Sequence, residues 1–161
     1  MNSEKINIGV IGSGHLGQYH VKHYKNMNNI NFLGLHDSNP ERGNEIAKKY
    51  ETKYFENVSN LMEVCDGVSI VTPTESHYDV ARIALNKFGC NVFIEKPITE
   101  TISQADDLID HAQKNNLIIQ VGHIERLNPA LKALEKYDIN PKFIDIQRLA
   151  PYTVRGTDVP V

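Results

Sequence analysis

The chain has 161 residues, and its 17 basic and 20 acidic side chains leave a net charge of −3, a balance that gives nucleic acid or an anionic membrane no electrostatic hold. With 40% hydrophobic residues it can build the core of one domain, or of one domain plus a fragment, and small molecules are the expected partners. No apolar run nears the roughly 18 residues of a membrane span, no charged-then-apolar leader opens the chain, and Cys65 and Cys90 lack a CxxC spacing, so a cytoplasmic protein with reduced core thiols is expected.

Ile6, Ile8, Val10 and Ile11 form an apolar run that stops at Gly12, and Leu16, Tyr19, His20, His23, Tyr24 and Met27 then recur at helical spacing. A strand therefore feeds a helix. A second strand over 31–35 leads into Asp37-Ser38-Asn39-Pro40, where the proline starts a helix through Tyr50. A weaker strand over 53–55, a short helix near 58–64 and a strand over 67–71 continue the alternation. Val80, Ala81, Ala84, Leu85 and Phe88 mark a helix ahead of 91–94, a nearly wholly apolar strand as expected when both faces are covered. Ser103 and Asp106 have capping-box spacing and open a helix with Ala105, Leu108, Ile109 and Ala112 inward, before a strand over 117–121. About six strands alternating with helices predict an α/β fold, a Rossmann-type doubly wound parallel sheet over residues 1–123. After Gly122 the rhythm changes. Residues 128–137 look helical and 142–149 read as a strand with no returning helix, so 124–161 is expected to be a linker helix and the first strand of an incomplete C-terminal α+β domain. Residues 150–161 read as an extended connection.

Gly12-Ser13-Gly14-His15-Leu16-Gly17 matches G-x-G-x-x-G between a strand and a helix, the context in which the motif cradles a pyrophosphate. Asp37 ends the next strand about twenty residues on, where a carboxylate accepts from adenosine ribose hydroxyls. This favours NAD over NADP, although Arg42 is placed to meet a 2′-phosphate and Asp37 equally suits a turn cap. Thr72-Pro73-Thr74 with His77, and Glu95-Lys96-Pro97, follow strands at the edge where ligands gather in such sheets. His77 also reads as a partly exposed residue of a first helical turn, and Lys96 as a solvated charge. His20 and His23 lack a third ligand for a metal.

Through the glycine motif, Thr72-Pro73 with His77, Glu95-Lys96-Pro97 and Val121-Gly122-His123, the sequence resembles the Gfo/Idh/MocA oxidoreductase family over essentially the whole chain. The resemblance implies that Lys96 lies beside nicotinamide and substrate, orienting the substrate or moving its proton, and that Glu95 holds the nicotinamide-side ribose. Beside a cationic nicotinamide in a desolvated pocket, the Lys96 ammonium form would be disfavoured. It also implies a frequent cis peptide at Pro97. The stretch His123-Ile124-Glu125-Arg126-Leu127-Asn128-Pro129 is similar to the subgroup of nucleotide-sugar 3-dehydrogenases acting on UDP-N-acetylglucosamine or its uronate. That similarity implies that His123, Glu125, Arg126 and Asn128 lie near nicotinamide and sugar, His123 joining Lys96 as a catalytic residue and Asn128 also being placed to cap a helix. Family members continue with a large sheet whose Asp-x-x-x-His segment supplies the catalytic histidine and which forms the homo-oligomer. The sequence reads as the front part of such a protein, inactive alone. A non-catalytic NAD-binding module and an NAD-dependent glycosidase are the alternatives.

Overall fold

The structure, a computed structural model, describes residues 5–147 and residue 149. These fall into two compact units that divide between Gly122 and His123.

In the first unit, strands β1 (Ile6–Ile11), β2 (Ile30–His36), β3 (Gly67–Ile70), β4 (Asn91–Ile94) and β5 (Ile119–Val121) form one sheet in the order β2-β1-β3-β4-β5. All four pairings are parallel. The strands are joined by helices α1 (Gly17–Lys25), α2 (Pro40–Lys49), α3 (Val58–Met62), α4 (Thr74–Lys87) and α5 (Ile102–Lys114). The order reverses beside β1, which places a crevice at the carboxyl ends of β1 and β3, the position where doubly wound sheets take ligands. The expected strand over 53–55 is reduced to a single bridge from Tyr54 to Leu35, so the sheet has five strands among the described residues rather than six.

Alternation along β1 sends Val10 to one face and Ile11 to the other. Val10 and Leu35 pack with Val21 of α1 and with Ile46 and Ala47 of α2. Ile11, Val68, Ile70, Val92 and Ile94 pack with side chains of α3, α4 and α5. Cys65 and Cys90 are buried free thiols in this second cluster.

Two helical phases differ from expectation. In α1 the buried positions are Gly17 and Val21, while Leu16, Tyr19 and Met27 are exposed. Helix and strand touch at a glycine, and the apolar residues taken for the inner face turn outward. In α5 the buried positions are Leu108 and Ala112, and Ile109 is exposed. The capping box belongs to Thr101 and Gln104, because Thr101 is the last extended residue and the longer Gln104 side chain reaches back to its amide at 3.2 Å. Ser103 already lies inside the helix.

The second unit begins with a short 3-10 turn, Ile124–Leu127, and a four-residue helix α6 (Pro129–Lys132). Residues 142–147 and 149 form no strand, so the strand expected over 142–149 is absent from its described part. Residue 148 and the extended connection expected over 150–161 lie outside the described residues. No helix among the described residues is long and apolar enough to cross a membrane.

Candidate functional site

The glycine turn joins β1 to α1, and its three glycines serve different purposes. Gly12 has φ +92°, and a Cβ there would lie 2.6 Å from the Val71 carbonyl oxygen. At Gly17 a Cβ would lie 2.0 Å from the Gly12 oxygen, which is how the helix comes so close to the strand. At Gly14 a Cβ would meet nothing within 4 Å. The turn is thus rigid at both ends and open in the middle, where the backbone amides of Gly14, His15 and Leu16 have no backbone partner among the described residues. His15 and Leu16 are exposed, the His15 ring lying edge-on to Tyr19. Free amides at a helix N-terminus form the cradle that a pyrophosphate needs.

Asp37, 2% exposed, follows β2 and lies against this turn. Its Oδ2 accepts from Ser13 N and Ser13 Oγ, both at 2.7 Å, and from Arg42 Nε at 3.1 Å. Its Oδ1 accepts from Asn39 N and Arg42 Nη2, both at 2.8 Å. Burial alone would raise this carboxyl, but hydrogen bonds from Arg42, Ser13 and Asn39 outweigh it and hold it at about 2. The helix cap is Asn39, whose side chain accepts from Arg42 N, while Asp37 braces the turn before it. Both donors of Ser13 are spent inward on Asp37, a role the motif alone did not reveal.

Thr72 and Pro73 follow β3, and Thr74 opens α4. Thr72 Oγ1 is buried without a hydrogen-bond partner, an unmet polar atom beside the glycine turn, since Thr72 N lies 2.8 Å from the Gly12 Cβ position. His77 is only 1% exposed, which removes the reading of a partly exposed helix residue. Its Nδ1 and Nε2 each lie 2.9 Å from a carbonyl oxygen, those of Pro97 and Thr72, so the ring ties together the segments following β3 and β4.

Glu95 and Lys96 follow β4. Lys96 is exposed, so the desolvation anticipated for it is not supplied by this arrangement, and the Lys96–Pro97 peptide is cis. Glu95 is 7% exposed, and its Oε1 lies 3.1 Å from His20 Nε2. His20 Nδ1 lies 2.8 Å from Ser69 Oγ. Sequence reading placed His20 in the periodic series of α1 and weighed it, with His23, as a metal ligand, but gave it no tie to Glu95. Both of its ring nitrogens are engaged, and no group of three or more metal-ligating side chains exists among the described residues. The available signal was that His20 and Tyr24 flank Val21 on the inward phase of α1.

In the second unit His123, Arg126 and Glu125 are exposed. Asn128 caps α6, its Oδ1 accepting from Ala130 N at 2.9 Å, and its Nδ2 donates to Glu125 Oε2 at 2.8 Å. The capping reading of Asn128 is realised.

The chain is similar in sequence and fold to known proteins. The UDP-N-acetylglucosamine 3-dehydrogenase of Acidithiobacillus ferrooxidans is 39% identical over 154 residues, covering 95% of this chain and 48% of that protein. Its solved structure matches with a TM-score of 0.78 over 83% of this chain and 43% of the other. A dehydrogenase structure from Clostridium difficile, 29% identical, matches with the same TM-score of 0.78 over 82% of this chain and 44% of the other. The D-glucoside 3-dehydrogenase of Escherichia coli is 29% identical over 97% of this chain and 41% of that enzyme. The chain thus spans less than half the length of these curated relatives. Residues 6–123 match the profile of the Gfo/Idh/MocA family, described as an oxidoreductase family with an NAD-binding Rossmann fold, and the chain belongs to that family.

Proposed function

We propose that this chain is the cofactor-binding part of a NAD-dependent dehydrogenase that oxidises a sugar hydroxyl, at C3 of a nucleotide sugar such as UDP-N-acetylglucosamine or its uronate. The observation that carries the reading is the meeting, at one edge of the sheet, of the open amide cradle at Gly14, the buried acceptor Asp37 and the pair Glu95 and Lys96. The 39% identity to a dehydrogenase named for this sugar supports the substrate class.

NAD, when bound, supplies the hydride acceptor at C4 of its nicotinamide. The amides of Gly14, His15 and Leu16 hold the pyrophosphate, with Gly12 and Gly17 fixing the turn beneath it. Asp37 accepts from the adenosine ribose as Arg42 turns away, and its negative charge repels a 2′-phosphate. Thr72 Oγ1 gains its missing partner from the ligand, and Pro73 and Thr74 border the same stretch. His77 acts indirectly by holding the Thr72 and Pro97 carbonyls. Glu95 accepts from the nicotinamide-side ribose, and Lys96 orients the reacting oxygen. As the alcohol becomes a ketone, its carbon would give up a hydride to the cofactor and its oxygen a proton, which Lys96 would help to pass to solvent. In the second unit, exposed Arg126 offers a fork of donors suited to an anionic or oxygen-rich ligand.

The complete protein with NAD and a panel of UDP-N-acetylhexosamines should produce reduced-cofactor absorbance, and Lys96→Ala should abolish it. Silence across the panel would remove the nucleotide-sugar assignment, and tight cofactor retention without net reduction would point to the glycosidase alternative. Calorimetric titration of the chain should show tighter binding of NAD than of NADP, a difference that Asp37→Ala erases.

A further inference from the structure

We propose that His20 is a positioning residue of the reaction edge, fixing the Glu95 carboxylate for the nicotinamide-side ribose of a bound dinucleotide; this rests on the role given to Glu95 above. His20 reaches from α1 across the sheet, with Nδ1 2.8 Å from Ser69 Oγ on β3 and Nε2 3.1 Å from Glu95 Oε1 just beyond β4. Its ring is packed edge-on to Phe93 and Tyr24, at centroid distances of 5.5 and 6.3 Å. Turning the ring would break both polar contacts at once.

The donor chain has one direction. A carboxylate only accepts, so Nε2 carries the proton toward Glu95, and Nδ1 is left to accept from the Ser69 hydroxyl. Burial holds His20 below the usual histidine range, against the pull of Glu95 and with a small push from His23, so the ring is neutral at neutral pH. The contact is then an orienting hydrogen bond rather than an ion pair. On another side Glu95 lies against the Gly122 backbone, where a Cβ would come within 2.8 Å of Oε1 and 3.0 Å of Oε2. With Oε1 given to His20, and only a 3.4 Å contact from Lys96 N on Oε2, acceptor capacity remains on Oε2 for a ligand hydroxyl.

The test compares NAD with ADP, which shares the adenosine and pyrophosphate but has no second ribose, by calorimetry on the chain and its variants. His20→Ala should weaken NAD about tenfold and leave ADP unchanged. His20→Gln, whose amide nitrogen can donate to Glu95, should recover most of the loss, and Ser69→Ala should show a smaller, NAD-only loss. If His20→Ala does not melt cooperatively, the other two variants carry the same comparison. Equal losses for NAD and ADP would reduce His20 to packing of α1, and unchanged NAD binding would leave it no role; either overturns the proposal. Wild-type chain that binds NAD no more tightly than ADP would remove the Glu95 premise. Failure to bind either ligand would instead remove the dinucleotide reading, and the inference with it.

Discussion

At the glycine-turn end of the sheet edge, Asp37 receives five hydrogen bonds from Ser13, Asn39 and Arg42, whereas beyond β4 Glu95 receives one at 3.1 Å from His20 and a long contact of 3.4 Å from Lys96 N. Both carboxylates are nearly buried, so exposure does not separate them. The difference lies in what holds them. Asp37 is held by the turn itself and by its neighbours along the chain, Ser13, Asn39 and Arg42. Glu95 is held by a side chain from another element, with acceptor capacity left over and the unpartnered Thr72 Oγ1 at the same edge of the sheet. At the glycine turn main-chain contacts set the geometry, with side chains of Ser13 and Arg42 added at Asp37, whereas beyond β4 the ring of His20 is the main support.

The largest expected effect tests the backbone end. In Gly17→Ala the new methyl meets the Gly12 carbonyl oxygen at 2.0 Å, and neither group can rotate away because both belong to the main chain. Alanine is favoured over glycine in a helix by about 1 kcal/mol, so propensity predicts stabilisation. The clash predicts a net loss of about 3 kcal/mol and of NAD binding. Chemical denaturation decides between the signs, and an unchanged midpoint would mean that the turn is softer than its geometry implies.

Asp37 gives the next effect through acid. Its carboxyl is held at about 2 against an ordinary 3.8, so the stabilisation is complete above about pH 4 and is lost as pH falls through about 2. Integrated over that interval, the contribution is about 2 kcal/mol. Denaturation midpoints measured from neutral pH downward should fall through this window in the wild type. In Asp37→Asn that limb should flatten, with the deficit already present at neutral pH.

The same contrast explains what could be read from sequence. The glycine turn and Asp37 were legible because backbone geometry restricts residue type at fixed spacing: only glycine tolerates both the φ of Gly12 and the approach at Gly17. The site beyond β4 was visible as Glu95-Lys96-Pro97, but its support was not. His20 was in the periodic series read for α1, but its partners were not legible, because its nitrogens are satisfied by Ser69 and Glu95, residues far away in sequence. The strand expected over 53–55 failed for a related reason. The alternation of elements suggested a strand, but only Tyr54 pairs with Leu35, and a strand's existence depends on a ladder that no local pattern guarantees. For α5 the error was two residues, Thr101 rather than Ser103, because either hydroxyl satisfies the capping pattern and the backbone turn selects between them.

Gly122→Ala sharpens the comparison at the side-chain end. Its new Cβ would meet the Glu95 carboxylate at 2.8 to 3.0 Å, a group that can swing on its own torsions at the expense of the His20 bond. The cost should be about 1 kcal/mol, below that of Gly17→Ala although both add one methyl. NAD affinity should fall while ADP affinity holds. A loss of stability as large as that of Gly17→Ala would show that Glu95 is as rigid as the turn and would break the contrast.

Gly14→Ala should have the smallest effect on stability and one of the clearest on binding. Gly14 has an ordinary negative φ and open space where a Cβ would stand, so neither strain nor overlap arises and the melting curve should be unchanged within about 0.5 kcal/mol. That space lies at the turn's free amides, where the second glycine of the motif lets a pyrophosphate approach the backbone. A methyl there must be displaced or must hold the phosphates off, weakening the charge-assisted hydrogen bonds from the cradle. NAD and ADP should both weaken by about tenfold or more, unlike the NAD-only loss expected of His20→Ala. Equal affinity in wild type and variant would mean that the dinucleotide does not pass over Gly14, and the backbone end would then be rigid for the fold alone.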